Sequence, residues 1–282
     1  MRKRWIEAGL IFLTALLVVI AYVGSAIAMA WAHNRSLPQT YGAITIACLV
    51  AYLVGARLIE WRPVTEFSPS PALPEIVAGL LAGIALFATV IAVLWIAGAY
   101  QPQGWGSFNG IGLAFLFWFA VGAQEEIQFR GLVYRFCERI FGTWGAIVLS
   151  GLLFSLAHGF DPGATATALS SVALAGLLLG AAFALTRRLW LPIGIHAGWN
   201  FAEGSLFGTA VSGNTVGGSL VTAKLTGPEI LTGGRFGPEA SIVTVIVLVL
   251  ATAFLVWRVA RLRHAEPPIW RAGKSELVIV SA

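Results

Sequence analysis

The chain has 282 residues, of which 58% are hydrophobic and only 11% are charged, and its mean hydropathy is +0.83. These values exclude an ordinary soluble globular domain and are typical of a protein embedded in a bilayer. The net charge of +5 does not indicate a nucleic-acid partner, because the basic residues are spread over the ends of apolar segments and form no compact stripe. We expect lipid headgroups to be their partners.

Apolar stretches of about 18 or more residues can cross the ~30 Å hydrocarbon layer as helices. The sequence predicts about eight such spans, and therefore an all-α, polytopic transmembrane helical bundle. In chain order the predicted spans are 6–31, 41–59, 74–98, 109–139, 144–158, 168–185, 190–207 and 240–259. The fifth is shorter than the usual length of a span.

The spans divide the chain into five parts. These are 1–73 (two spans and a proline-rich link), 74–108 (the third span and an outer loop), 109–207 (four spans), 208–239 (a long outer loop) and 240–282 (the last span and a tail). The first two spans hold no ionisable residue near the bilayer centre, so we assign them packing and insertion and no chemistry. The long loop is rich in Gly, Ser and Thr, and we expect it to cover or line an entrance.

The distribution of positive charge predicts the orientation, because cytoplasmic flanks carry an excess of Lys and Arg. With an even number of spans and the N-terminus inside, 15 of the 18 basic residues lie inside. The other three, Arg35, Lys224 and Arg235, lie outside. We therefore predict a multi-pass protein of the cell membrane with both termini in the cytoplasm.

Three groups of polar residues lie within the predicted spans, where each ionisable group costs ~2.5–3.5 kcal/mol to insert. The fourth span carries Glu125, Glu126 and Arg130. Glu126 and Arg130 are four residues apart and can form an ion pair, whereas Glu125 is turned ~100° away and is free for other work. The fifth span ends at His158. The seventh span carries His196 and Asn200, which are four residues apart and share a face.

Each group alone has an ordinary explanation, such as a solvated helix end or a histidine in packing. All three, however, lie within about two turns of the bilayer centre, so a bundle can bring them together. A carboxylate beside a neutral histidine can hold a water and take its proton, while another histidine and an amide donate to a developing oxyanion. These are the parts of peptide-bond hydrolysis. Glu203, near the same face as Asn200, is a secondary candidate.

The succession EExxxR, FxxxH and HxxxN resembles the CAAX protease and bacteriocin-processing family of intramembrane endopeptidases, which is related to the type II CAAX prenyl endopeptidases. The motifs begin at Glu125, Phe154 and His196, and the resemblance covers 109–207, about a third of the chain. It implies that 109–207 is the catalytic core. It implies that Glu125 and His158 activate the water. It also implies that His196 and Asn200 stabilise the oxyanion, while Glu126 and Arg130 hold the helix geometry.

The resemblance implies a membrane-attached protein or peptide as substrate, of which prenylated CAAX-type proteins are one kind. We expect the site to open towards the cytoplasm. Glu125, His158 and His196 could ligate Zn²⁺ with one position open for water, but the HExxH spacing that argues most directly for zinc is absent. Two alternatives stay open. One is a proton-coupled transporter, since Glu and His within spans also serve as proton relays, and the other is a non-proteolytic immunity or scaffold protein of the same fold.

Overall fold

The structure is a computed structural model that describes residues 2–31, 36–107, 109–262 and 265–271. Three basic residues that contribute to the predicted orientation lie outside this range: Arg35, Arg263 and Lys274. The described part of the chain is mostly helical. Its α-helices, in chain order, are α1 (Arg2–Trp31), α2 (Leu37–Val54), α3 (Ala72–Ile96), α4 (Ile111–Gln128), α5 (Arg135–Ala157), α6 (Ala166–Thr186), α7 (Trp190–Asn200), α8 (Glu229–Thr232) and α9 (Ile242–Arg261).

The predicted all-α, multi-pass bundle is confirmed, and each of the eight predicted spans falls on one of the longer helices. Among the described residues, six stretches are long and apolar enough to cross a membrane. One of them, Ile111–Phe160, contains the two predicted spans 109–139 and 144–158. Gly142 lies within α5 and interrupts the helix with φ 72° and ψ 178°, a conformation that glycine adopts readily, and it separates these two predicted spans. The seventh span is not among the six, because α7 has only 11 residues and a six-residue continuation.

Three helices end in π-helical turns rather than in regular α-helix. These turns are Gly55–Ile59 after α2, Phe129–Tyr134 after α4 and Phe201–Leu206 after α7. The hydrophobic pattern of the sequence did not predict them. Such turns are rare, and those that occur often lie at functional sites. One of them begins directly after Asn200, and another begins three residues after Glu126 and contains Arg130.

Two short strands, β1 (Tyr100–Trp105) and β2 (Val221–Leu225), pair antiparallel, with a bulge between Pro102 and Gly104. The all-α prediction did not include them, and in this detail it was incomplete. The pairing joins the long loop 208–239 to the connection between α3 and α4. The loop therefore has a fixed place at the end of the bundle.

Ion pairs between helix ends define one face of the bundle. This charged face consists of Glu60, Arg62, Glu66, Glu75, Arg135, Glu138, Arg187 and Arg188. Arg4 pairs with Glu266 and Arg139 with Glu7, so both ends of the described chain lie on the same side. The longer helices alternate in direction between this side and the opposite one. The opposite side, here called the loop face, holds β1, β2 and residues 208–239.

Glycines bring α3 and α7 together backbone to backbone. Gly79 and Gly83 on α3 interlock with Gly194 and Gly198 on α7, and a Cβ atom at any of the four would collide with the backbone of the other helix. Small residues at four-residue spacing allow this close approach in membranes. The contact fixes the rotation and height of the helix that carries the HxxxN motif.

Candidate active site

A cavity of about 580 Å³ lies among the helices, and residues from each of the three polar groups line it. Glu125 of α4, His158 at the end of α5, and His196 and Asn200 of α7 all line this cavity. Residues that are far apart along the chain therefore share one cavity.

Glu125 lies between the two histidines. Its Oε2 atom is 3.9 Å from His158 Nε2 and 3.8 Å from His196 Nε2. These distances are too long for direct hydrogen bonds, and Oε2 is buried without a hydrogen-bond partner in the described part of the chain. Separations of this size suit a small molecule such as water bridging the three groups.

The Nδ1 atom of each histidine is engaged, and this sets what Nε2 can do. His158 Nδ1 lies 2.8 Å from the carbonyl oxygen of Phe154. A carbonyl oxygen only accepts, so Nδ1–H donates, and Nε2 of neutral His158 is an acceptor that faces Glu125. The phenylalanine of the FxxxH motif also packs its ring on the imidazole, with centroids 4.5 Å apart. Phe154 therefore orients His158 through both its backbone and its side chain.

A buried ion pair holds His196. His196 Nδ1 is 2.9 Å from Glu126 Oε1, and Arg130 Nη1 donates to the same oxygen at 2.8 Å. Arg130 Nη2 donates to the carbonyl oxygen of Gly176 on α6 at 2.9 Å, and the guanidinium lies 4.8 Å from the centroid of the Phe154 ring on α5. Glu126 and Arg130 are both 0% exposed. This pair therefore connects α4, α5, α6 and α7 at the site.

Glu203, the secondary candidate, lies behind the wall of the cavity rather than in it. It is fully buried, Trp199 Nε1–H donates to its Oε2 at 3.1 Å, and Glu239 is its neighbour. Because Trp199 itself lines the cavity, Glu203 contacts the site through Trp199. Its position is that of a support for the wall.

The long loop lines the cavity on the side of the loop face. Ser212, Asn214 and Thr215 contribute to the lining together with Glu239. Ser212 donates to Glu239 Oε1 from its backbone N–H at 2.6 Å and from its hydroxyl at 2.7 Å. Burial raises the pKa of Glu239. The loop is thus attached to the wall of the site through a buried carboxyl group.

Several lining residues were not predicted from the sequence. Tyr22 of α1 and Tyr41 of α2 belong to spans that the sequence assigned no chemistry, yet they form part of the cavity wall. Tyrosine in an apolar span gives no signal that separates a cavity wall from packing. Asp161 also lines the cavity, three residues after His158, and this short spacing was the one available hint.

The cavity extends towards the loop face and not towards the charged face. Its lining includes Leu37 at the start of α2, with 49% of its surface exposed, and the exposed residues Asn214 and Thr215. The sequence predicted both a cytoplasmic charged face and a cytoplasmic opening. These two expectations are incompatible in this fold, because the opening and the charges lie at opposite ends of the bundle.

The residues named for zinc do not form a zinc site as they lie. The described residues contain no group of three His, Cys, Asp or Glu side chains arranged to hold a metal ion. Tetrahedral Zn²⁺ with ligands at ~2.1 Å places ligand atoms about 3.4 Å apart. Glu125 Oε2 is farther than this from both Nε2 atoms. We therefore derive no catalytic step through a metal.

Comparison with known proteins agrees with the three motifs. Residues 106–202 match the family model described as Type II CAAX prenyl endopeptidase Rce1-like. This segment is similar to that family. The Rce1-like segment covers about a third of the chain and contains all three motifs, so the resemblance inferred from them is confirmed. No curated protein and no solved structure matches the chain. At a general level the family supports a protease, and the apolar helices support a multi-pass membrane protein.

Proposed function

We propose that this protein is an intramembrane endopeptidase that hydrolyses a peptide bond of a membrane-attached protein or peptide. One observation carries the proposal: an unpartnered Glu125 oxygen lies 3.8–3.9 Å from two histidine Nε2 atoms inside a cavity that Asn200 also lines. The Rce1-like segment, which supplies all four of these residues, supports the choice of a protease over other hydrolases.

In the proposed reaction a water molecule sits between Glu125 and His158, and these two groups accept one of its protons as its oxygen attacks the peptide carbonyl carbon. The carbonyl oxygen becomes negatively charged in the tetrahedral intermediate. His196 in its imidazolium form, with Nδ1–H on Glu126, donates from Nε2 to this oxyanion, and the amide of Asn200 donates a second hydrogen bond. The proton then passes to the leaving nitrogen, and the C–N bond breaks. One water is consumed, and a carboxylic acid and an amine are released.

Glu126 and Arg130 act as positioning residues in this proposal. Neither lines the cavity, but Glu126 contacts His196 directly and Arg130 holds Glu126. Catalytic groups must be held close to their productive geometry, and a buried, multiply bonded guanidinium does this across four helices. Zinc assistance, implied by the resemblance alone, is a separate version of the proposal and has its own test below.

The test compares purified wild-type protein with Glu125→Gln in detergent, using a panel of single-span membrane peptides and lipid-anchored peptides with and without a prenyl group. Loss of a general base should lower kcat about 10²- to 10⁴-fold. Glu7→Gln is the matched control, because Glu7 pairs with Arg139 on the charged side, away from the cavity, and both side chains are partly exposed. Equal cleavage by wild type and Glu125→Gln, or no cleavage of any peptide, would refute the proposal and favour a transporter or a non-proteolytic protein.

A further inference from the structure

The helix bundle is closed between the polar centre and the charged face. The residues that fill this layer come from α4 and its π turn, α6, and the start of α7: Ile127, Tyr134, Phe183, Leu189 and Ile193. None of them is more than 1% exposed. His196 is only about 9 Å along α7 from Trp190 at the charged side, so the shorter route to water is the blocked one.

The other direction is open. From Glu125 and His158 the cavity continues past Tyr41 to Leu37, Asp161 and the tip of the long loop at Asn214 and Thr215. The cavity also reaches Ala157, an exposed residue of α5 at the end of that helix nearest the loop face. Polar groups stand at the rim, and aromatic side chains such as Phe117 and Trp118 line the wall. This lining suits an extended peptide with apolar side chains that enters from the loop face.

The charge distribution assigns the two faces to the two sides of the membrane. The charged face holds the arginines at the helix ends, and the loop face has only Lys224 and Arg235 among its described residues. An excess of Lys and Arg marks the cytoplasmic side. The open end of the cavity is therefore the end that the positive charge places outside.

We infer that the site takes its substrate from the extracytoplasmic side, as a membrane-attached chain whose scissile segment lies at or just below the outer surface. The inference rests on the proposed protease function and adds the side and the class of substrate. It disfavours lipid-modified tails that are presented in the cytoplasm. It favours precursors that are anchored in the membrane or have crossed it.

The first arm of the test measures the side of the opening by cysteine labelling. Cys48 and Cys137 are both buried and are replaced by alanine to give a cysteine-free background. Asn214→Cys places a thiol at the rim, and Arg57→Cys places one at an exposed position of the π turn that follows α2, on the side of the charged face. A membrane-impermeant maleimide should label Asn214→Cys in intact cells. It should label Arg57→Cys only in inside-out vesicles.

The second arm uses two reporters that carry one cleavage segment, chosen because the purified protein cleaves it in detergent and Glu125→Gln does not. The segment is placed at the outer or the inner end of the same single-span anchor, in both chain directions. In cells, the outer reporter should be cut by wild type and spared by Glu125→Gln, and the inner reporter should persist.

The outcomes separate this inference from the function on which it rests. Labelling of Asn214→Cys from the cytoplasmic side only, or cleavage of the inner reporter with the outer one spared, overturns the inference while the protease proposal stands. Failure of the purified protein to cleave any segment in detergent overturns the protease proposal, and this inference with it.

Discussion

Replacing Arg130 by methionine should destabilise the protein by about 3 kcal/mol, at the lower end of the 3–5 kcal/mol that breaking a buried ion pair costs. The side chain is 0% exposed and donates to Glu126 at 2.8 Å and to the Gly176 carbonyl at 2.9 Å. Hydrogen bonds to charged groups contribute ~1.5–3 kcal/mol each. The lower figure is expected because Glu126 keeps one partner, the Nδ1–H of His196.

A double-mutant cycle with Glu126→Gln identifies the cause. If the cost comes from a buried carboxylate that has lost its partner, the double variant Glu126→Gln, Arg130→Met should lose ~1–3 kcal/mol less stability than the two single variants lose in total. Free energies of unfolding can be measured in mixed detergent micelles by tryptophan fluorescence. Arg130→Lys should be intermediate, because it keeps the charge without the two-pronged geometry. Additivity within ~0.5 kcal/mol would show that the two side chains do not interact and would refute this account.

Three further predictions follow from other parts of the molecule. Gly198→Ala should destabilise the protein by ~1–3 kcal/mol and lower its activity, because the new Cβ atom would collide with the backbone of Leu80 on α3. Gly9→Ala is the control and should do neither, since nothing lies within 4 Å of its Cβ position. Equal melting temperatures of the two variants would contradict this prediction. Burial raises the pKa of Glu239, so its folded state favours the neutral acid and wild-type stability should fall as pH rises above the ordinary value of 4.5. The Glu239→Gln variant has no ionisable group at this position, so it should lose less stability than the wild type over the same pH range. If the melting temperatures of the two proteins change in parallel from about pH 4 to about pH 9, this prediction is wrong. Exhaustive chelation should leave cleavage intact, whereas a loss that Zn²⁺ alone restores would support the zinc-assisted version.

The sequence predicted the helices better than it predicted what lies between them. Long apolar runs allow few structures in a bilayer, because each backbone polar group needs an internal partner there. Each span could therefore be predicted from its own segment of sequence. The π turns after Gln128 and Asn200 could not be predicted, since a single extra residue in a turn changes no hydrophobic pattern. The β1–β2 pairing joins segments that are far apart along the chain, and such pairing has no local signal in two short strands.

Within the site, the ionisable and amide residues could be predicted, because such side chains are unusual in apolar spans. The backbone groups that hold them could not. Arg130 donates to the carbonyl of Gly176, and any residue supplies a carbonyl, so no side-chain pattern can indicate that bond. The residues of the cavity wall could not be predicted either. Tyr22 and Tyr41 have ordinary neighbours in the sequence, and only the packing of the helices places them in the wall. The direction of the opening depends on these wall residues, which explains why the sequence could predict a cytoplasmic charged face and a cytoplasmic opening together although the two are incompatible in this fold.

The distribution of unpartnered polar atoms indicates that the site binds a polar molecule and is more than a hydrogen-bond network kept for stability. Among the described residues, three of the five buried side-chain atoms without a hydrogen-bond partner belong to one stretch of α4 and its π turn: Glu125 Oε2, Glu126 Oε2 and Arg130 Nε. A network kept only for stability would be expected to satisfy its buried members, since an unsatisfied buried polar group costs ~1–3 kcal/mol. Glu125 differs from the other two, because its free oxygen lies in the cavity while Glu126 and Arg130 lie behind it. The glutamate that faces the cavity is thus the one with room for a reacting water, and the pair behind it is arranged to hold His196 in place.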